Sequence, residues 1–355
     1  MLIPVSTATS PIDSSRIARL PFLDLECTPD FTVAAMNSIQ RKINTGFSRI
    51  STADDVLAGQ DLTGTTALVT GGYSGLGYEI SRSLSSVGAR VVVLARRPEQ
   101  ARSAVADLPG IEVRACDLSD PSSVRSCARE ILESRITPDI IICNAGVMAC
   151  PELRVGSGWE SQFAINHLGH FVLVNLLVPA MPANGSRVVA VSSAGHFLSG
   201  VRWDDIHFRN GYDRWLAYGQ AKTANALFAV QLASSGASRG ITAFSVHPGS
   251  ILTPLQRHFS ASEKHDLGWT TSNGDAVPGF KTPSQGAATT VLAATAPILA
   301  DHAGAYLQDC NIADVAQTDD MSVGGVKPWA TDRDDARRLW ALSAEMTGVD
   351  AFGRR

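Results

Sequence analysis

From Thr65 onward the apolar residues of this chain follow two alternating rhythms. Short runs, nearly all apolar and rich in β-branched residues, occur at Ala67–Thr70, Arg90–Leu94, Glu112–Cys116, Ile140–Cys143, Arg187–Ser192 and Thr242–Val246. Between them, amphipathic segments of helical length run over 76–87, 98–107, 121–134, 159–181, 218–238 and 285–295. A strand that is apolar on both faces is one covered by helices on both sides, so the alternation predicts a doubly wound, Rossmann-type parallel α/β sheet in a single domain, 63–350. Gly304–Leu307 predicts one more edge strand, and Asp332–Thr347 a closing helix.

Residues 1–62 break the rhythm. They mix Pro, Ser and Thr around one amphipathic stretch, Phe31–Phe47, which predicts a helix, and Ser51-Thr-Ala-Asp-Asp55, which suits a short capped one. This part reads as an N-terminal extension and not as a second domain. Its first twenty residues carry Arg16 and Arg19 but no apolar core of a secretory signal, which favours a flexible tail over a transit peptide.

Composition narrows the partners. The 355 residues are 45% hydrophobic and 18% charged, with a net charge of -4, the make-up of an ordinary globular protein. No broad basic field is present to bind nucleic-acid phosphates or anionic membrane, so a small-molecule partner is expected. The most apolar run, Phe171–Met181, is interrupted by Asn175 and falls short of the roughly 20 residues a membrane-spanning helix needs, so no transmembrane anchor is expected. The six cysteines (Cys27, Cys116, Cys127, Cys143, Cys150, Cys310) form no CxxC pair, and no His cluster stands at metal-ligand spacing. They read as thiols in a reducing, cytoplasmic compartment, with no metal site.

The candidate chemistry lies where strands end. After the first strand comes Thr70-Gly-Gly-Tyr-Ser-Gly-Leu-Gly77. Gly71, Gly75 and Gly77 allow a tight turn and close approach of a pyrophosphate, which the next helix meets with its free N–H groups. A glycine-rich turn alone also serves as a plain connector; the strand–turn–helix context favours the nucleotide. The second strand ends Leu94-Ala-Arg-Arg97, where an NAD-binding fold places an acidic residue for the ribose hydroxyls. Arg96, with Arg97 beside it, instead suits a 2′-phosphate, because guanidinium forks onto phosphate oxygens. The plain alternative is a pair of solvated charges opening a loop.

Tyr218-Gly-Gln-Ala-Lys222 sets a phenol and an ammonium on one helical face. A cation beside a phenol favours the phenolate and lowers its pKa from near 10, towards general acid/base use. Ser193 ends the fifth strand, and Asn144-Ala-Gly146 follows the fourth. Each would pass as a turn if met alone.

Taken in order, Thr70–Gly77, Asp117-Leu118, Asn144-Ala145-Gly146, Asn166, Ser193, Tyr218-x-x-x-Lys222 and Pro248-Gly249 resemble the short-chain dehydrogenase/reductase family over about residues 45–350. The resemblance implies an NADP(H)-dependent oxidoreductase that interconverts a ketone or aldehyde and an alcohol. It makes Tyr218 the general acid/base, Lys222 its partner and a ligand of the nicotinamide ribose, and Ser193 the group that polarises the substrate oxygen. Asn166 would hold, through its backbone, a water in a proton relay. Gly71, Tyr73, Ser74, Gly75, Leu76 and Gly77 would line the cofactor, Asp117 and Leu118 would flank the adenine, and Asn144, Ala145 and Gly146 the adenosine side. In Pro248-Gly-Ser-Ile-Leu-Thr253, Ile251 and Thr253 would meet the carboxamide.

Asn166-His-Leu-Gly-His-Phe171 and the long gap from Ser193 to Tyr218 are most similar to the retinol-dehydrogenase-like branch. The insert in that gap, with His196, Trp203 and Trp215, is expected to shape the substrate mouth, His196 serving structure and not catalysis. A polar lid is expected over about 255–285. Family members often pair through the helices bearing Asn166 and Tyr218; the apolar stretch Ala224–Leu232 permits such a homodimer, and packing on a sheet would explain it equally. The rival function is a catalytically silent NADP(H)-sensing protein, which would have no need of a tuned phenol.

Overall fold

The computed structural model describes residues 39–183 and 185–353. In chain order its elements are α1 (Ala53–Leu57), β1 (Thr66–Thr70), α2 (Gly75–Ser86), β2 (Arg90–Ala95), α3 (Pro98–Ala104), β3 (Ile111–Ala115), α4 (Pro121–Glu133) and β4 (Ile140–Cys143). There follow a small hairpin of β5 (Arg154–Val155) and β6 (Trp159–Glu160), α5 (Ser161–Ala180), β7 (Ser186–Val191), α6 (Arg214–Gly236), β8 (Ile241–His247) and α7 (Ala261–Asp266). The described part closes with α8 (Pro283–Thr295), β9 (Tyr306–Gln308), β10 (Asn311–Ile312) and α9 (Arg333–Thr347).

The main sheet has eight strands in the order β10-β9-β8-β7-β4-β1-β2-β3, parallel throughout except for β10. The central strands are largely apolar on both faces because the pleat deals alternate side chains to two cores. Ala67, Val69, Val91, Val93, Ile140 and Ile142 meet α1, α2 and α8 on one face. Leu68, Val92, Leu94, Ile141 and Cys143 meet α4, α5, α6 and α9 on the other. Chain order reverses between β1 and β4, and at such a switch point the loops leaving neighbouring strands part to open a crevice.

The predicted strands are all present with ends shifted by a residue or so, and the predicted doubly wound sheet is observed. One expectation changes. Of the predicted helix Phe31–Phe47, residues 31–38 lie outside the described part, and beyond residue 39 the chain is irregular. Gln40 explains why: its buried amide behaves like an added strand, accepting from Tyr306 N (2.8 Å) and donating to the carbonyls of Tyr306 (3.0 Å) and Ala313 (2.7 Å) at the sheet edge. Ile39, Ile43 and Phe47, spaced as a helix would have them, pack on the core from this irregular segment. The short helix predicted near Ser51 is α1, closed by a capping box between Thr52 and Asp55.

Among the described residues, α5 is long and apolar enough to cross a membrane, but it sits in the body of the domain, with Phe171, Leu173, Val174 and Leu177 fully buried. The stretch Ala224–Leu232 is likewise occupied within the chain. Ala224 and Leu227 pack with Ala336 and Leu339 of α9, and Phe228 stacks on Trp340 at 5.8 Å.

Candidate active site

One cleft of about 1350 Å³ opens at the C-terminal ends of β1, β2, β4, β7 and β8. Of the site residues read from the sequence, all but Asn166 line it: Gly71, Tyr73, Ser74, Gly75, Leu76, Gly77, Arg96, Asp117, Leu118, Asn144, Ala145, Gly146, Ser193, Tyr218, Lys222, Pro248, Gly249, Ile251 and Thr253. Asn166 is fully buried just behind the wall.

At the β1 end the glycine-rich turn suits a pyrophosphate on two observations. A Cβ on Gly77 would lie 2.3 Å from the Gly71 carbonyl oxygen and 2.5 Å from Asn144 Nδ2, so only glycine lets the turn close this tightly. Thr52, Asp120, Asp213, Thr282 and Asp332 each cap a helix with a side-chain oxygen, whereas Ser74, at the start of α2, makes no such bond. The first N–H groups of α2 therefore face the cleft with their partial positive charge available to an anion. Arg96 and Arg97 stand exposed at the same end, and neither takes part in an ion pair among the described residues. These features fit a dinucleotide.

At the β7 end, α6 is started by Asp213, whose carboxylate accepts from Trp215 N and Leu216 N (both 2.8 Å). One turn further in, Tyr218 and Lys222 point from the buried face of that helix into the cleft. Gly195 is required here, since a Cβ on it would come within 2.6 Å of the Tyr218 ring. Burial raises the Tyr218 phenol to about 12, with a hydrogen bond to Ser193 acting the other way. Burial lowers the Lys222 ammonium to about 8. Its Nζ lies 5.6 Å from the Tyr218 ring centroid and donates to Val191 O at 2.9 Å. In this structure the Lys222 ammonium faces the β7 backbone, and burial sets the direction of the phenol's shift.

Asn166 sits in a π turn, Ala164–Leu168, within α5. Its side chain clamps Val147, accepting from the N–H (2.8 Å) and donating to the carbonyl (2.9 Å). Its backbone carbonyl, the atom a relay role would use, is engaged by His170 Nδ1 at 2.9 Å. His170 Nε2 lies 2.8 Å from Thr70 Oγ1, which accepts from Asn144 N and Ala145 N (both 2.9 Å). With two N–H groups on its lone pairs, the Thr70 hydroxyl must donate to Nε2, so His170 is the neutral Nδ1–H form. Its pKa is lowered to about 4, chiefly by burial. Thr70 and His170 were not singled out from the sequence; the signal was there, since His170 stands four residues after Asn166 on the same helix.

His196 is structural. Its Nδ1 meets Ser193 O at 2.7 Å, its Nε2 accepts from Lys327 N at 3.0 Å, and burial first of all lowers it to about 4, so it serves to fix the backbone carrying Ser193. Of the other insert residues, Trp215 lines the cleft, while Trp203 lies beneath Arg338 in a different core. The lid expected over 255–285 contains α7 and an aromatic cluster: Phe259 is 5.5 Å from Trp215 and 5.2 Å from Trp269. Its ends are pinned, by Gln256 against Thr253 N (2.8 Å) and Ile251 O (2.8 Å), and by the buried Lys281 paired with Asp309 at 2.7 Å.

The family profile described as short chain dehydrogenase matches residues 65–264. The chain belongs to the short-chain dehydrogenase/reductase family. It is 44% identical to a probable oxidoreductase of Streptomyces antibioticus over 80% of this chain and 98% of that one. It is 34% identical to retinol dehydrogenase 12 of Homo sapiens over 81% and 88%, which places it in the retinol-dehydrogenase-like branch. Among solved structures, an uncharacterized protein from Mycobacterium paratuberculosis shares 31% identity with a TM-score of 0.66, covering 86% of this chain and 99% of that one. The Pseudomonas aeruginosa RhlG/NADP active-site complex shares 26% identity with a TM-score of 0.54, covering 70% and 96%. As a short-chain dehydrogenase/reductase, the chain is an oxidoreductase of a family that uses nicotinamide cofactors.

The sequence reading leaves part of the cleft out. Phe197, Trp329, Phe280 and Met148 also line it, with Trp215 and Trp269. They come from four separated segments, and no spacing in the sequence brings them together.

Proposed function

We propose that this chain is an NADP(H)-dependent reductase or dehydrogenase that interconverts a bulky, apolar carbonyl compound and its alcohol. The observation that carries the reading is the juxtaposition of Tyr218, Ser193 and Lys222 in one cleft with a glycine turn and two exposed arginines that form no ion pair among the described residues. When bound, the nicotinamide supplies or accepts the hydride.

The chain's own residues handle the proton and the orientation. Tyr218 keeps its proton at physiological pH, since burial holds the phenol near 12, and donates it to the carbonyl oxygen as negative charge develops there. Ser193 hydrogen-bonds the same oxygen and is held for this by His196 and by Tyr306, whose hydroxyl donates to Ser193 O at 3.1 Å. Lys222, lowered to about 8, can pass a proton on to the phenolate as well as hold the ribose. Asn166 braces the wall at Val147 beside Gly146, whose Cβ position is 3.8 Å from Lys222 Nζ. Arg96, with Arg97, favours the 2′-phosphate of NADP(H) in the absence of an acidic residue at Ala95; the similarity to an NADP-complexed structure supports the choice.

Substrate size follows from the walls. Met148, Phe197, Trp215, Trp269, Phe280 and Trp329 offer apolar and aromatic surface, and the Lys327 ammonium over the rings of Phe197 and Trp329 is paired with Asp319. The similarity to retinol dehydrogenase 12 makes long apolar alcohols and aldehydes the first compounds to try. The test is oxidation of NADPH, and reduction of NADP, over a panel graded in size and polarity. Turnover of bulky apolar members is expected, and cofactor binding without turnover of any member would favour a silent sensor.

A further inference from the structure

Arg257 also lines the cleft. It follows the 3₁₀ turn Pro254–Gln256 at the start of the lid. That turn is well fixed: Thr253 and Gln256 form a capping box, the Gln256 amide donates to Ile251 O at 2.8 Å, and the turn packs on the glycine-rich loop, where a Cβ on Gly75 would lie 3.1 Å from Thr253 Cβ and 3.3 Å from Pro254 Cδ. Arg257 is thereby carried across the cleft toward the end that holds Arg96 and Arg97, and all three line the same cavity.

Three guanidinium groups collected at one end of a cleft need an anion, since like charges brought together oppose one another. The described residues supply none. Their ion pairs use other arginines and lysines throughout, and the one hydrogen bond of the Arg257 side chain runs to Pro254 O at 3.3 Å. Asp117, an acid that lines the same cavity, already accepts from Ser119 N (2.9 Å) and Ser119 Oγ (2.6 Å). The Arg257 pKa is lowered first by partial burial and then by the charge of Arg96, with a smaller contribution from Arg97, which agrees with their closeness.

We propose that Arg257 is a third ligand of the cofactor's 2′-phosphate, borne by the lid, so that ordering of the lid depends on the phosphorylated nucleotide. This rests on the NADP(H) reading above and adds a residue from a separate element to it. Arg96 and Arg97 stand on the rigid end of β2, and Arg257 at the root of a segment that covers the substrate side through Phe259 and Trp269. A phosphate held between the two would draw the lid root onto the cofactor end, and a nucleotide without that phosphate would not.

The test compares adenosine 2′,5′-bisphosphate with 5′-AMP, which differ only in the 2′-phosphate. Wild type, Arg257→Ala, Arg257→Lys and Arg96→Ala are titrated by calorimetry, and amide hydrogen exchange is followed over residues 254–270. Arg257→Ala should bind the bisphosphate about ten-fold more weakly with 5′-AMP affinity unchanged, and Arg257→Lys should fall between, because an ammonium keeps the charge but loses the fork. The bisphosphate should slow exchange over 254–270 in wild type and fail to do so in Arg257→Ala. Equal losses for both nucleotides would assign Arg257 to the 5′-phosphate and overturn the proposal, as would an unchanged bisphosphate affinity. If Arg96→Ala loses the discrimination and Arg257→Ala keeps it, the lid role alone fails. If wild type itself does not discriminate, the NADP(H) reading fails and takes the proposal with it.

Discussion

Replacing Lys222 with Met should stabilise the folded protein while abolishing its turnover. The side chain is 4% exposed, and burial lowers its pKa from the ordinary 10.5 to about 8. A shift of about 2.5 units corresponds to roughly 3 kcal/mol of preference for the unfolded, solvated ammonium. Met removes that cost and fills similar volume. What is lost is the bond from Nζ to Val191 O, worth about 0.5–1.5 kcal/mol, and Val191 O keeps a second donor in Asn225 Nδ2 at 3.0 Å. The net gain at pH 7 should be about 2 kcal/mol, a rise of a few degrees in Tm. The sign of the pH dependence follows from the lowered pKa of a base. Between pH 8 and 10.5 the unfolded state binds more protons at this site than the folded state, so wild-type stability rises through that window. The advantage of the variant is therefore full below pH 8, shrinks above it and vanishes beyond 10.5. Urea denaturation of both proteins at pH 7 and near pH 10 measures it. A variant less stable than wild type at pH 7, or a difference that does not change with pH, would refute the reasoning.

Three further outcomes are expected. Tyr218→Phe keeps the ring packing against Gly195 but deletes the proton donor, so NADPH binding by fluorescence titration should persist while turnover falls roughly 10²- to 10⁴-fold; half the wild-type rate with chemistry rate-limiting would exclude the role. Arg96→Ala should weaken NADPH binding about ten- to a hundred-fold and leave NADH nearly unaffected, with the loss shrinking at high salt because the group is exposed; titration of both cofactors decides, and equal losses count against it. Gln40→Ala leaves the buried Tyr306 N and Ala313 O without their partner and should cost about 2–4 kcal/mol in urea denaturation, whereas a loss below about 0.5 kcal/mol would mean that water replaces the amide easily.

What the sequence by itself determined is everything that depends on local order. A strand apolar at every position, as in Ile140–Cys143, can only lie between two helical layers, so the layered sheet was legible in the pattern of the strands. Strand ends stay with their strands, so the sheet gathers the glycine turn, Arg96, Asn144, Ser193 and the Tyr218/Lys222 pair, each legible in the sequence, into one cleft. Three things needed the tertiary structure. The Phe31–Phe47 pattern predicts a helix running to residue 47, yet beyond residue 39 a single buried glutamine amide bonded to an edge strand decides the conformation, and no periodicity records that partner. The apolar and aromatic wall of the cleft is drawn from Met148, Phe197, Trp269 and Trp329, residues far apart in the chain whose meeting depends on how the 255–285 segment and the loops before α9 pack. Ionisation is decided the same way. Spacing puts Lys222 one turn from Tyr218, but only burial of both groups, which raises the phenol and lowers the ammonium, sets their proton affinities, because desolvation depends on the whole surrounding fold and not on the neighbours in sequence.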